Sequence, residues 1–254
     1  MKVVLVQQDI IWSNPQANVD RLEALLSEAP QADLYVLPEM FTTGFATAPV
    51  GVAEEMPAKG LLWMRDFARR RDCAVAGSIA VHEGDHYCNR LYFVTPESET
   101  YYDKSHLFTY SGEDKTFKAG EERKIVEWRG WRILLLVCYD LRFPVWIRNR
   151  GDYDAIINVA NWPTVRQTAW DTLCRARAIE NTCYVLAVNR FGSDPKCEYE
   201  GNTALYDPYG GIISNVRGRE GLAVGELDMD FLTAYHAKFP VMEDADAFEI
   251  KKKI

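Results

Sequence analysis

The 254-residue sequence contains no apolar stretch long enough to cross a membrane as a helix, and no long basic run. Its first residues, MKVVLVQQDI, reach Gln7, Gln8 and Asp9 before the apolar segment of a secretion signal could be completed. The formal net charge is −8 and the pI about 5.1, which disfavours binding to nucleic acid or to an anionic membrane surface. We therefore expect a cytoplasmic protein without nucleic-acid or membrane partners.

Paired cysteines, linkers and repeats are also missing from the sequence. The cysteines show no C-x-x-C spacing, which argues against a zinc site or a dense disulfide framework. His82 and His86 flank a predicted hairpin turn near Cys88, but no further ligand of clear spacing completes a metal site there. With 48% apolar residues and no linker, low-complexity segment or repeat, the chain is expected to form a single domain over residues 1–254. The cysteines are Cys73, Cys88, Cys138, Cys174, Cys183 and Cys197.

What the sequence does contain is an alternation of short β-branched runs with longer helical patterns. Strands are predicted at 3–8, 33–39, 73–81, 87–95, 99–104, 123–128, 132–137, 154–160, 183–190, 202–207, 211–215 and 222–227. Helices are predicted after Asn14-Pro15, around 61–70, after Pro144 and near 165–181. Strands rich in Val, Ile and Leu on both faces need layers packed on each side of a sheet, so the pattern predicts an α/β layered sandwich.

One cysteine ends an apolar run and is followed at once by polar residues. In WRILLLVCYDLRFP (131–144), a strand ending at Val137 and a helix beginning near Pro144 would place Cys138 on a sharp turn. Backbone N–H groups on such a turn are free of strand pairing and can face a bound anion. This position suits a nucleophile, although an inert buried thiol fits the turn about equally well. The other five cysteines are interpreted as inert thiols.

A nucleophilic thiol with an ordinary pKa of about 8.5 needs a base or a nearby cation at neutral pH. None of the four histidines has a sequence context typical of histidine-assisted thiol proteases. Glu39 in DLYVLPEMFTTGF and Lys104 in TYYDKSHLF each follow a predicted strand, so both could meet Cys138 at one edge of the sheet. Taken singly, Glu39 also fits a turn cap and Lys104 a surface cation.

Three motifs in a fixed order make the interpretation of these residues more specific. The stretches LPEMFTTGF, YYDKSHLF and LLVCYDLRFPVW resemble the motifs of the nitrilase superfamily of carbon–nitrogen hydrolases. The likeness continues through nearly the whole chain and includes NVANWP (158–163) and RARAIEN (175–181). The residues after the cysteine, Tyr139-Asp140 and Leu141-Arg142-Phe143, resemble the ω-amidase branch. True nitrilases usually have Trp-Glu there, and carbamoylases have Asn-Asp.

This resemblance implies a four-layer α-β-β-α sandwich, commonly paired into dimers, and amide hydrolysis without a metal or organic cofactor. It implies that Cys138 attacks the carbonyl carbon and that Glu39 is the general base. Lys104, with a backbone N–H after the cysteine, would hold the oxyanion. The best match for a second glutamate of the family is Glu113 in SGEDKTFKAG, although a solvated loop carboxylate competes evenly there.

The resemblance also implies a substrate class. ω-Amidases act on monoamides of short dicarboxylic keto acids, such as α-ketoglutaramate and α-ketosuccinamate, which carry a second, anionic end. Arg142 is the first candidate to bind that end, and a structural ion pair with a carboxylate such as Glu180 is the alternative. Aromatic side chains after strands could form the walls of the pocket, although such residues are more often simply packed. The substrate-binding candidates beside Arg142 are Tyr139, Trp162 and Phe41, with Phe45 as a further wall residue.

Two other functions stay open on the sequence alone. One is an amidase or nitrilase that uses the same residues on another small molecule. The other is a non-catalytic scaffold that binds a partner or a ligand. An intact set of Glu39, Lys104 and Cys138 argues against the scaffold, because a site without a reaction has no physical reason to keep three costly polar groups together.

Overall fold

Two mixed seven-stranded sheets face each other in the computed structural model, which describes residues 1–56 and 58–251. The first sheet has the order β14-β1-β2-β4-β5-β6, with β3 pairing to β4. Its strands are β1 (Lys2–Gln7), β2 (Leu34–Val36), β3 (Glu54–Glu55), β4 (Ala74–Glu83), β5 (His86–Val94), β6 (Glu99–Asp103) and β14 (Gly221–Glu226). The second sheet has the order β11-β12-β10-β9-β8-β7, with β13 pairing to β12. Its strands are β7 (Ile125–Trp128), β8 (Trp131–Val137), β9 (Ala155–Ala160), β10 (Tyr184–Asn189), β11 (Phe191–Ser193), β12 (Glu198–Tyr206) and β13 (Ile212–Arg217).

Helices cover the outer faces of both sheets. In the described part of the chain the α-helices are α1 (Pro15–Leu26), α2 (Lys59–Arg71), α3 (Pro144–Ile147), α4 (Gln167–Asn181) and α5 (Met229–Lys238). Strand β1 shows how the layers form, because successive side chains point to opposite faces. Val3 and Leu5 pack into the core between the sheets, whereas Val4 and Val6 pack in the cluster that includes α1 and α2.

On the other side of the molecule, α4 contributes Trp170, Cys174 and Ala178 to the core that contains β9 and β10. The order of layers is therefore helices, sheet, sheet, helix. This confirms the predicted four-layer α-β-β-α sandwich.

Parallel pairing within each sheet brings strand ends to a common edge. Helix α1 connects the parallel strands β1 and β2, α2 lies between the parallel strands β2 and β4, and α4 connects the parallel strands β9 and β10. Strand β8 is also parallel to β9. Because β5 is antiparallel to both β4 and β6, β6 runs in the same direction as β2. The segments that follow β2, β6, β8 and β9 consequently leave the sheets on one side of the molecule.

Most predicted elements are present, with different lengths in some cases. The predicted hairpin forms between β4 and β5, with Gly84 at a φ of +64° in its two-residue turn. The predicted strand at 33–39 is paired only over Leu34–Val36, and the helix after Pro144 is a single turn. The sequence interpretation missed α5, whose buried face is only Leu232 and Tyr235 and whose periodicity is correspondingly weak.

Candidate active site

Three polar side chains that are far apart in sequence meet beyond the strand ends. Glu39 follows β2, and Lys104 follows β6 directly. The ammonium of Lys104 lies 3.0 Å from Oε1 of Glu39 and 2.9 Å from Oε2 of Glu113. All three side chains are fully buried. Glu113 is thus a buried partner of the lysine and not a solvated loop carboxylate.

A fourth buried residue joins the two carboxylates. Nδ2 of Asn89 donates to Oε1 of Glu39 at 2.8 Å and to Oε1 of Glu113 at 3.2 Å. Its own Oδ1 accepts a hydrogen bond from Oγ of Ser78, which fixes the orientation of the amide. We call Glu39, Asn89, Lys104 and Glu113 the buried cluster.

Charge pairing decides the protonation of this cluster. Burial alone would lower the pKa of Lys104, but the charges of Glu113 and Glu39 outweigh it and raise that pKa above its usual value. Burial raises the pKa of Glu113, and the charge of Glu39 acts in the same direction while Lys104 opposes both. The lysine is therefore a permanent cation that two carboxylates share.

Glu39 is held by a further residue that follows β9. The backbone N–H of Asn161 donates to Oε2 of Glu39 at 2.8 Å, and Nδ2 of Asn161 donates to the backbone oxygen of Glu39 at 2.6 Å. Both carboxylate oxygens of Glu39 consequently accept hydrogen bonds from donors with fixed positions. This arrangement leaves the carboxylate little freedom to rotate.

Cys138 occupies a tight turn at the end of β8. Its φ is +49°, in the left-handed region that residues with a Cβ rarely adopt, and it begins a short 3₁₀ helix over Cys138–Arg142. Asp140 stabilises the turn, because its Oδ2 accepts the backbone N–H of Val137 and the hydroxyl of Tyr102, each at 2.9 Å. Oδ1 of Asp140 accepts the backbone N–H of His106 at 3.0 Å and lies 2.7 Å from Nδ1 of its ring. The sequence interpretation did not identify this network.

The thiol of Cys138 interacts with the buried cluster. Burial, followed by the negative charge of Glu39, raises the pKa of Cys138 well above its ordinary value, while Lys104 acts in the opposite direction. Burial also raises the pKa of Cys88 to about 11 and that of Cys73 to about 12. A raised pKa therefore does not distinguish Cys138 from inert thiols. Its position at a cavity and beside Glu39 and Lys104 does.

A cavity of about 370 Å³ opens above the thiol. Cys138 and Lys104 lie in its wall, and Tyr139, Arg142 and Trp162 also line it. Phe45, Phe108, Asn161 and Arg166 are among the other lining residues.

Phe41 does not line the cavity, which corrects one sequence prediction. Its ring is fully buried in the core under α2 and lies 6.2 Å from the ring of Trp63. Gly60 and Gly77 leave the space for this ring, since a Cβ at either position would lie 3.2 Å from it. Phe41 is therefore a packing residue, and Phe45 supplies the aromatic wall.

Comparison with known proteins is consistent with this geometry. The sequence model of the carbon–nitrogen hydrolase family matches residues 2–237. The chain belongs to the carbon–nitrogen hydrolase family. It is accordingly a hydrolase of carbon–nitrogen bonds, and the predicted membership of the nitrilase superfamily is confirmed.

Individual relatives and a solved structure match this carbon–nitrogen hydrolase over almost its full length. It is 45% identical to "Omega-amidase YafV" of Yersinia enterocolitica, over 98% of each chain. It is 34% identical to "2-oxoglutaramate amidase" of Bacillus subtilis, over 94% of this chain and 95% of the other. A crystal structure of a CN-hydrolase superfamily protein from Xanthomonas campestris, with an arsenic adduct in its active site, has 42% identity, covers 99% of each chain and gives a TM-score of 0.96.

Arg142 of this hydrolase is not part of an ion pair within residues 1–56 and 58–251. Its guanidinium carbon lies 4.9 Å from the centre of the Trp162 ring. Glu180, the expected structural partner, instead pairs with Arg177 at 2.7 Å. The structural alternative for Arg142 is therefore not what the structure shows, and Arg142 lines the cavity.

Two further cations line the same cavity and were missed in the sequence. Arg166 follows the NVANWP stretch, and Lys196 lies in the turn between β11 and β12. Asp194 is the acidic residue beside them, and its Oδ2 accepts the hydroxyl of Tyr199 at 2.6 Å. We call Arg142, Arg166 and Lys196 the rim cations.

Neither metal nor disulfide chemistry is indicated in the part of this hydrolase that the structure describes. All six cysteines lie there and are free thiols. No group of three or more His, Cys, Asp or Glu residues in that part could hold a metal ion. His82 instead lies 2.6 Å from Glu55 and stacks on Tyr87. None of the described helices is both long and apolar enough to cross a membrane.

Proposed function

We propose that the protein is an ω-amidase that hydrolyses the terminal amide of short dicarboxylic keto acid monoamides, such as α-ketoglutaramate and α-ketosuccinamate. The products are the dicarboxylate and ammonia. The observation that carries the proposal is a cavity with a thiol and a charge-paired lysine in its wall. Around it lie arginines that form no ion pair within residues 1–56 and 58–251. Relatives named omega-amidase and 2-oxoglutaramate amidase support the substrate class.

The first chemical step begins from a protonated thiol, because burial raises the pKa of Cys138. Glu39 accepts the thiol proton while Sγ attacks the carbonyl carbon of the amide. The carbonyl oxygen becomes an oxyanion, which the ammonium of Lys104 and the backbone N–H of Tyr139 stabilise. Loss of one such preorganised donor typically costs about 3 kcal/mol of transition-state stabilisation.

The second step uses the same carboxyl group as an acid. Glu39 returns the proton to the amide nitrogen, the carbon–nitrogen bond breaks, and ammonia leaves a thioester on Cys138. Glu39 then removes a proton from water, which attacks the thioester, and the carbon–sulfur bond breaks to release the carboxylic acid. Glu39 returns the proton to the departing sulfur, which restores the thiol. Glu113 acts on this cycle through Lys104, which it holds at 2.9 Å. The sequence of steps requires no metal or organic cofactor.

The remote carboxylate of the substrate is assigned to Arg142. A guanidinium over a ring keeps its N–H edge available, and that edge matches a carboxylate in a bidentate manner. Trp162 and Tyr139 form apolar walls around the short carbon chain between the two ends of the substrate.

The test is steady-state ammonia release from α-ketoglutaramate, glutamine, succinamate and a simple nitrile. We expect the highest kcat/KM for α-ketoglutaramate. A preference for the nitrile or for neutral amides would contradict the substrate class. Absence of ammonia from every compound, together with alkylation of Cys138 by iodoacetamide no faster than that of the other thiols, would contradict an enzymatic role.

We further propose a cytoplasmic homodimer of single-domain protomers. Six unpaired thiols fit a reducing compartment. One core contains residues of both sheets, which supports a single domain. Tyr110 and Val165 are 86% and 83% exposed, and a second protomer would cover such apolar side chains. Light scattering coupled to gel filtration tests the dimer, and a monomeric mass would contradict it.

A further inference from the structure

The cavity is lined by more positively charged side chains than the proposed catalytic steps require. Lys104 is neutralised by the two glutamates behind it. The rim cations face one lining carboxylate, Asp194, which is already hydrogen-bonded to Tyr199. The region where the remote end of a substrate would lie is therefore positive, although the whole chain has a formal charge of −8.

Arg166 is positioned by the cavity wall itself. Its backbone oxygen accepts the indole N–H of Trp162 at 2.8 Å, and its backbone N–H donates to Pro163 at 2.9 Å. Its guanidinium carbon lies 5.2 Å from the centre of the Phe108 ring. The backbone N–H of Phe108 in turn donates to Glu113 at 2.6 Å, which connects this part of the wall to the buried cluster.

Arg142 and Arg166 both contact Trp162, one through its side chain and the other through its backbone. Arg142 lies over the Trp162 ring, and Arg166 holds the N–H of the same ring through its backbone. Neither guanidinium donates a hydrogen bond or joins an ion pair within residues 1–56 and 58–251. Both are half-buried. Contact with a ring engages the face of a guanidinium and leaves its N–H edge for a ligand.

We propose that Arg166 is a second specificity-determining residue. Together with Arg142 it selects monoamides whose remote end is anionic and disfavours those that carry an ammonium group there, such as glutamine. A carboxylate would pair with guanidinium groups that form no ion pair in the described part of the chain, whereas an α-ammonium group would be repelled by them. This inference rests on the proposed function and assigns the selectivity of that site to a named residue.

The kinetic test compares Arg166→Gln and Arg166→Lys with the unchanged protein on α-ketoglutaramate, glutamine and butyramide. We expect Arg166→Gln to reduce kcat/KM for α-ketoglutaramate roughly 10- to 100-fold, mainly through KM, as for loss of a charged hydrogen bond. The value for neutral butyramide should stay within about 2-fold, and the preference for α-ketoglutaramate over glutamine should fall. Arg166→Lys should recover part of the loss. Equal losses on all three substrates, or no loss, would overturn the assignment.

A second measurement does not depend on amidase activity. Iodoacetate is anionic and iodoacetamide is neutral, and the ratio of their alkylation rates at Cys138 reports the charge of the cavity. We expect Arg166→Gln to lower this ratio several-fold without changing the iodoacetamide rate, while Arg69→Gln, an exposed substitution on α2, leaves both rates unchanged.

The two measurements distinguish a failure of the proposed function from a failure of the role assigned to Arg166. If the protein releases no ammonia from α-ketoglutaramate but the ratio falls in Arg166→Gln, the proposed function is wrong and the anion-selecting role of Arg166 stands. If α-ketoglutaramate is hydrolysed but neither the ratio nor the substrate preference changes, the role of Arg166 is wrong. Parallel loss of both alkylation rates, with a lower Tm, would show a merely structural residue and would also overturn the assignment.

Discussion

The buried cluster and the rim cations lie at one cavity but satisfy their charges in opposite ways. In the buried cluster, each charged side chain has partners within about 3 Å, and all are inaccessible to solvent. Among the rim cations, the guanidinium groups of Arg142 and Arg166 lie over aromatic rings and form no hydrogen bond or ion pair with the residues that the structure describes. The charges of the buried cluster are balanced without a ligand, whereas the three rim cations share a single lining carboxylate, Asp194.

This difference separates the two tasks of the site. Groups that move protons and stabilise an oxyanion must be in place before the substrate arrives, and paired buried charges provide that preorganisation. The remote carboxylate of the substrate, by contrast, needs hydrogen-bond donors that are still free when the substrate binds. We therefore expect changes in the buried cluster to affect kcat on every amide, and changes at the rim to affect KM for anionic amides.

The largest effect is expected for Cys138→Ala. Loss of the nucleophile should reduce turnover of every amide by at least about 10⁴-fold, because no other thiol lies beside Glu39 and Lys104 in the described part of the chain. The fold should remain, since Ala has the same backbone constraints as Cys at a φ of +49°. Ammonia release and thermal unfolding measure the two expectations. Cys73→Ala, in the core under α2, is the control that should keep its turnover.

Glu39→Gln is expected to have the next largest effect. It should lower kcat by about 10²- to 10⁴-fold on butyramide and on α-ketoglutaramate alike, because the amide cannot accept the thiol proton. Initial rates on both substrates measure the loss. Glu54→Gln replaces another buried carboxylate, which accepts the N–H of Gly60 at 3.1 Å outside the cavity, and should leave kcat nearly unchanged. A loss confined to the anionic substrate would remove the distinction between the two regions.

Arg142→Ala should change binding and not chemistry. We expect KM for α-ketoglutaramate to rise roughly 10- to 100-fold, while butyramide kinetics stay within about 2-fold. Arg69→Ala, an exposed substitution on α2, serves as the matched control. An equal loss on butyramide would show that Arg142 supports the cavity through Trp162 and does not bind the carboxylate.

The smallest effect is expected from salt. Raising the ionic strength from about 0.05 M to about 0.5 M should increase KM for α-ketoglutaramate a few-fold, because the Debye length falls from roughly 14 Å to roughly 4 Å and partly exposed charges are screened. The kcat should not change, since the buried cluster is shielded from ions. Combined replacement of Arg142 and Arg166 by Gln should abolish the response of KM. A fall in kcat on butyramide at high salt would contradict this division.

The sequence predicted the layers and the meeting of strand ends better than it predicted the surroundings of the thiol. Glu39, Lys104 and Cys138 could be brought together in advance because each follows a strand, and strand ends share an edge. Glu113 begins a single turn of 3₁₀ helix that the sequence did not predict, and only its resemblance to a family motif suggested a role. Its burial depends on contact with Lys104, which is 9 residues away in sequence but adjacent in space.

The residues that sequence reasoning missed are fixed by contacts between elements. Asn89 stands in the middle of β5 beside Arg90, and two polar residues within a predicted strand were the available signal. Arg166 fell within the predicted helix near 165–181, whereas the structure begins α4 at Gln167 and leaves Arg166 on the cavity wall. Phe41 and Phe45 are indistinguishable as aromatic residues after a strand, and only the space left by Gly60 and Gly77 places one of them in the core.

The central claim is that Cys138 forms a thioester during amide hydrolysis, and interception of that intermediate by hydroxylamine tests it most directly. With succinamate as substrate, we predict that hydroxylamine diverts product from succinate to the monohydroxamate without reducing ammonia release, and that Cys138→Ala forms neither product. Full release of ammonia with succinate as the sole product at high hydroxylamine concentration, or hydroxamate formation by Cys138→Ala, would contradict the account.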